Sequence, residues 1–88
     1  MNLTKHAAKR SQQRGIPELV IDLLLRFGRR DHDHRGAEIV YFDKASRKHV
    51  ERYCGSLIGK VNEHLDCYAV VADEVIVTVG VRYERVRH

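Results

Sequence analysis

The sequence predicts an α+β domain: two N-terminal helices packed on a small, mostly antiparallel sheet, with a helical insert before the last two strands. Three patterns predict it. Ile16, Leu19, Val20, Leu23, Leu24 and Phe27 step by three and four, the period of one buried helix face. The runs CYAVVAD and EVIVTVGVRYERV are rich in β-branched residues and alternate, as paired strands do. Between these two regions lie one short strand-like run, AEIVYFD, and a second helical stepping. The expected order is helix, helix, strand, helix, strand, strand, in a single domain over residues 1–88.

Each element has a local reason. Thr4 is an N-cap for a first helix over residues 5–14, and Gly15 stops it. Pro17 suits the start of a second helix, which Gly28 ends. RRDHDHRG, residues 29–36, reads as a polar connection. In residues 37–43, Ile39 and Tyr41 alternate with Glu38, Val40 and Phe42. Asp43 caps a third helix, in which Val50, Tyr53, Cys54, Leu57, Ile58, Val61 and Leu65 step helically. Gly55 and Gly59 interrupt it, so a break is expected near Gly55.

The last two strands, residues 67–73 and 74–86, form a hairpin at Asp73-Glu74. Glu74 suits a tight primed turn poorly, so a looser turn is expected. Val75, Val77, Val79, Val81 and Tyr83 share one face, expected to pack on the helices. Ile76, Thr78, Gly80, Arg82 and Glu84 share the other, where Gly80 leaves room for a ligand.

Composition narrows the function classes. Of 88 residues 43% are hydrophobic and 32% charged, which fits a folded domain and excludes a disordered tail. No apolar run approaches the roughly 20 residues of a membrane helix, so no membrane partner is expected. The opening MNLTKHAAKR lacks the apolar stretch of a secretory signal, and a cytoplasmic location is expected. Cys54 and Cys67 match no metal-ligand spacing and read as two semi-buried thiols, with a disulfide only if the intervening segment folds back. The formal net charge is +4, and cations gather at both ends: Lys5, Lys9, Arg10 and Arg14, then Arg82, Arg85 and Arg87. Such clustering fits a polyanion, nucleic acid above all, or an acidic protein.

The stretch HAAKRSQQRG offers little to bury, yet His6, Arg10 and Arg14 recur every fourth residue and share one helix face. The segments LTKHAAKRSQQRGIPELVIDLLLRFG, GAEIVYFDK and YAVVADEVIVTVGVRYER resemble the bacterial family called domain of unknown function 4258. That family is grouped with RelE/ParE-like toxins inside the barnase–EndoU–colicin–RelE ribonuclease superfamily. The pattern carrying the resemblance is His6-Ala7 with Arg10, then Arg14-Gly15-Ile16, then the valine-rich hairpin running to Arg82. Two departures stand out: the insert over residues 44–65 is longer than the minimal pattern, and Asp73-Glu74 replaces the usual Asp-Gly. The resemblance implies a RelE-like sheet, an RNA-directed toxin that meets RNA at the ribosome, and an antitoxin protein that neutralises it.

Metal-free RNA cleavage needs a base, an acid and cations at the phosphate, and no cofactor. His6 supplies the proton-transfer chemistry, and Arg10 and Arg82 the transition-state contacts. Arg14, Tyr41, Tyr83 and Arg85 supply RNA and phosphate contacts. The competing reading makes the arginines structural, their stems covering apolar surface and their heads bonded to carbonyls or to Glu38. The DHDH motif at residues 31–34 places His32 and His34 on one side but lacks a third ligand, so no metal site is assigned. Two functions stay open: a toxin-like RNA-binding domain acting as a metal-independent endoribonuclease, or a non-catalytic module that binds a protein partner.

Overall fold

The computed structural model describes residues 3–32 and 36–81. Helix α1 (Lys5–Gln13) starts at Thr4, whose hydroxyl accepts the Ala7 N–H at 3.1 Å, a cap worth about 1 kcal/mol. The same hydroxyl donates to the Val77 carbonyl at 3.3 Å, and the Thr4 N–H donates to the Ile76 carbonyl at 3.0 Å. Leu3 forms a parallel bridge with Ile76. Leu3 and Thr4 therefore run as a short companion to the last strand before the chain turns into α1.

Helix α2 (Glu18–Phe27) follows Pro17, which occupies the N-cap rather than the first helical position. It buries Val20, Leu23 and Leu24, as the stepping required, together with Ile21, which lay outside the expected stripe, while Leu19 stays exposed. Strands β1 (Arg29–His32) and β2 (Ala37–Tyr41) then form an antiparallel pair. Residues 29–32 are thus a strand, not part of a connection. All four are exposed, so β1 has no hydrophobic signal of its own and owes its conformation to pairing with β2.

Helix α3 (Lys44–Cys54) opens on a capping box. The Asp43 carboxylate accepts the Ser46 N–H at 2.9 Å, and the Ser46 hydroxyl accepts the Asp43 N–H at 2.7 Å. The expected break comes at Gly55, whose φ of 57° ends the α-helix; two 3₁₀ segments follow, Gly55–Lys60 and Asn62–His64.

Strands β3 (Cys67–Ala72) and β4 (Val75–Val81) complete a four-stranded antiparallel sheet in the order β1-β2-β3-β4. The predicted α+β class holds, with one strand more than the sequence suggested. The helices pack on one sheet face. Val40, Ala69, Val71, Ile76 and Val79 point into a core shared with Ala7, Val20, Ile21, Leu24 and Val50. Each such aliphatic side chain contributes roughly 1.5–3 kcal/mol on burial. Ile39, Tyr41, Tyr68, Val70 and Thr78 face the other way, and none of them is buried.

Two expectations for the last hairpin are corrected. Ala72 pairs directly with Val75, so Asp73-Glu74 is a tight two-residue turn with φ of 52° and 64°, the signature of a type I′ turn, and not a looser loop. The valine face does not run unbroken either. Val71 pairs with Ile76 and Val70 with Thr78, which leaves Val77 as a bulged extra residue. The bulge reverses the alternation, so Ile76 takes the core place expected of Val75 and Val77, while Val79, with Val81 packed against the core, keeps the expected face. The carbonyl of Val77 is the one that Thr4 captures, so the bulge also anchors α1.

Candidate functional site

Helix α1 contains no acidic residue of its own, while Lys5, His6, Lys9 and Arg10 lie in the helix and Arg14 is its C-cap. Lys5, His6, Lys9 and Arg14 are exposed. Lys5 occupies the first turn, where its positive charge opposes the helix dipole, so it adds nothing to helix stability. Among the described residues none forms an ion pair or hydrogen bond with the side chains of Lys5, His6 or Lys9. Arg10 differs: it is half-buried beside Ala7, and its Nε is closed off from solvent without a hydrogen-bond partner among the described residues. Its stem is part of the packing. Glu38, a suggested partner for these arginines, is engaged elsewhere.

Of the other predicted site residues, Arg82, Tyr83 and Arg85 lie outside the described residues, as does His34. Tyr41 is on β2, on the sheet face opposite the core into which α1 sets Ala7. The structure thus does not gather Tyr41 with His6, Arg10 and Arg14 in one hollow. The Tyr41 hydroxyl donates to Asp31 Oδ2 at 2.8 Å, and Arg29 Nε donates to Asp31 Oδ1 at 3.3 Å. The Tyr41 hydroxyl, then Arg29, hold the Asp31 carboxyl below the usual carboxylate range. Asp31 in turn pushes the Arg29 guanidinium further up. The room expected at Gly80 is taken. A Cβ there would come within 2.8 Å of the Tyr68 ring, which lies across the glycine.

A cleft of about 550 Å³ opens at the far end of the sheet, between the α2 side and the β3–β4 turn. Leu25 and Ile76 line it together with Arg30, His32, Glu38, Asp73 and Glu74. Glu38 is shared: Arg30 Nη1 donates to Oε1 at 2.9 Å, and His32 Nε2 lies 3.5 Å from Oε2. Arg30 Nη2 also donates to the Leu25 carbonyl at 3.2 Å. Histidine, carboxylate and arginine do meet here, a grouping the sequence reading missed because it took residues 29–36 as a connection. Three carboxylates against one permanent cation make the cleft repel a phosphodiester.

A scan against protein-family models and searches of curated proteins and solved structures found no match to the chain. No helix among the described residues is long and apolar enough to cross a membrane.

Proposed function

We propose that the protein is a toxin-like RNA-binding domain in which α1 delivers cations to phosphates. The observation that carries this reading is that α1 contributes no acidic side chain, with Lys5 and Lys9 exposed and without an ion pair among the described residues and Lys5 at the end of the helix that disfavours positive charge. The spacing of His6, Arg10 and Arg14, and the family resemblance built on it, point the same way. RNA at the ribosome and a neutralising antitoxin are the partners this reading implies. Arg10, partly built into the packing, supports the ridge, while His6 is the exposed group for proton transfer if the bound strand is cut.

Titration with a single-stranded oligoribonucleotide tests the proposal. Binding is expected to weaken steeply with salt. The double variant Lys5→Ala/Lys9→Ala is expected to reduce the log–log salt slope by about 1.4, roughly 0.7 for each lost phosphate contact on a single strand. An unchanged slope sinks the α1 assignment. Labelled RNA incubated in chelator with wild type, His6→Ala and His32→Ala separates binding from cleavage. Loss of product in His6→Ala alone assigns the endoribonuclease; no product from any of the three leaves a binding domain.

A second reading rests on a separate surface. Tyr53 and Leu57 are 61% and 62% exposed on the α3 side, and Tyr53 is backed by Phe27 at 5.1 Å and by Arg26 at 5.9 Å from its ring. That patch suits a protein partner, as a non-catalytic interaction module requires.

A further inference from the structure

The sheet face left open by the helices carries a small, defined hollow. The register of β2 and β3 sets Tyr41 directly opposite Tyr68. Tyr68 in turn is paired with Gly80, and its ring lies so close over that residue that any side chain there would push it away. Asp31 and Ile39, opposite each other on β1 and β2, complete the walls. Together Asp31, Ile39, Tyr41 and Tyr68 line a space of about 330 Å³. Ile39 is 40% exposed at its edge. Each Asp31 oxygen accepts one hydrogen bond, from Tyr41 or from Arg29, and retains a second acceptor position.

We propose that this hollow takes one unstacked nucleobase of single-stranded RNA, with a tyrosine ring against the base and Asp31 accepting from its exocyclic amino group. The proposal rests on the RNA-binding reading above and deepens it. Unpaired bases are recognised by stacking on aromatic side chains and by hydrogen bonds to their edges. A carboxylate selects an amino-bearing edge such as that of cytosine. Uracil places a carbonyl oxygen where cytosine has its amino group, so two sets of lone pairs would face each other. An apolar protein surface fits less well, because covering Asp31 without supplying donors would strand an ionised carboxylate. The domain measures 36 × 29 × 22 Å. Twelve nucleotides, even at the helical rise of 3.4 Å, extend about 40 Å, so one strand reaches both α1 and the hollow.

The chain has four tyrosines and no tryptophan, so quenching of tyrosine fluorescence reports stacking directly. Twelve-nucleotide oligocytidylate and oligouridylate are titrated against wild type, Asp31→Asn, Tyr68→Leu and Lys9→Ala. Oligocytidylate is expected to bind about tenfold more tightly than oligouridylate. Asp31→Asn, an exposed and near-isosteric change, should bring the two within about twofold of each other. Tyr68→Leu should weaken both by about tenfold. Lys9→Ala should weaken both while keeping their ratio. Equal binding of the two strands, or a preference that survives Asp31→Asn, overturns the base site and leaves RNA binding through α1 standing. Failure of both strands to bind removes the RNA reading and the base site together. A dimer in sedimentation that Ile39→Lys disperses also overturns it, by assigning the face to a second copy of the chain.

Discussion

Glu74 holds its backbone at φ 64° beside Asp73 at φ 52°. An L-residue with a side chain gives up roughly 1–2 kcal/mol in that left-handed region, and glycine avoids the cost while losing some chain entropy on folding. The β3–β4 turn accepts this twice. Glu74→Gly is therefore expected to stabilise the fold by about 0.5–1 kcal/mol, read as a higher urea midpoint with an unchanged m-value. Gly80 sets the opposite constraint. Gly80→Ala drives a methyl against the outer end of the Tyr68 ring, which can swing aside on the open sheet face, so stability should change by less than about 1 kcal/mol. The same variant should alter tyrosine fluorescence in the folded state, because the ring has to leave its seat.

Among the elements, α3 depends most on its first turn. The Ser46 N–H and hydroxyl hold the Asp43 carboxyl below the ordinary range. A carboxyl with a depressed folded pKa contributes stability above its unfolded value, near 4, and loses it as pH falls through the lower folded value. Asp43→Ala should cost about 1 kcal/mol at pH 7. Denaturant curves of variant and wild type should converge as pH falls through the depressed folded value, where the wild-type carboxyl itself becomes protonated.

The elements also show what could be read in advance. Helix α2 was legible because Val20, Leu23 and Leu24 step along its buried face, though Leu19 is exposed and Ile21 takes a core place outside the expected stripe, and the Gly55 break was legible because glycine interrupts helices. Strand β1 was not, since RRDH offers no apolar period and becomes a strand only against β2. The reversal at the start of β4 was hidden for a related reason. A single bulge at Val77 puts Ile76 rather than Val75 on the core face while Val79 and Val81 keep theirs, and bulges leave no mark in composition. The α1 cations were visible as a row, whereas the Tyr41–Tyr68 pair depends on the register of strands 27 residues apart in sequence. The His32–Glu38–Arg30 grouping depends on the unseen β1.

At the scale of the whole molecule, the core reports on itself through its two thiols. Both cysteines are free. Cys67 is buried in the core, and burial pushes its thiol up to about 12, whereas Cys54 is only half-buried. A raised folded pKa means stability is intact below the unfolded value of 9.0 and drains away as pH climbs toward 12. Iodoacetamide at pH 8 should modify one thiol per chain quickly and the second only at the rate of global unfolding. Two fast thiols would show that the sheet end near Cys67 opens locally.

The bridge from Leu3 to Ile76 joins nearly the first and nearly the last described parts of the chain. As translation proceeds, α1 is made early and waits, its docking edge not yet synthesised, until β4 has emerged. Contacts of such long sequence separation are the slow ones to form. A nascent chain arrested before Ile76 would display α1 as an undocked, highly basic segment, and removal of Leu3 would leave the outer edge of β4 without its bridge at Ile76 and open to pairing with other molecules.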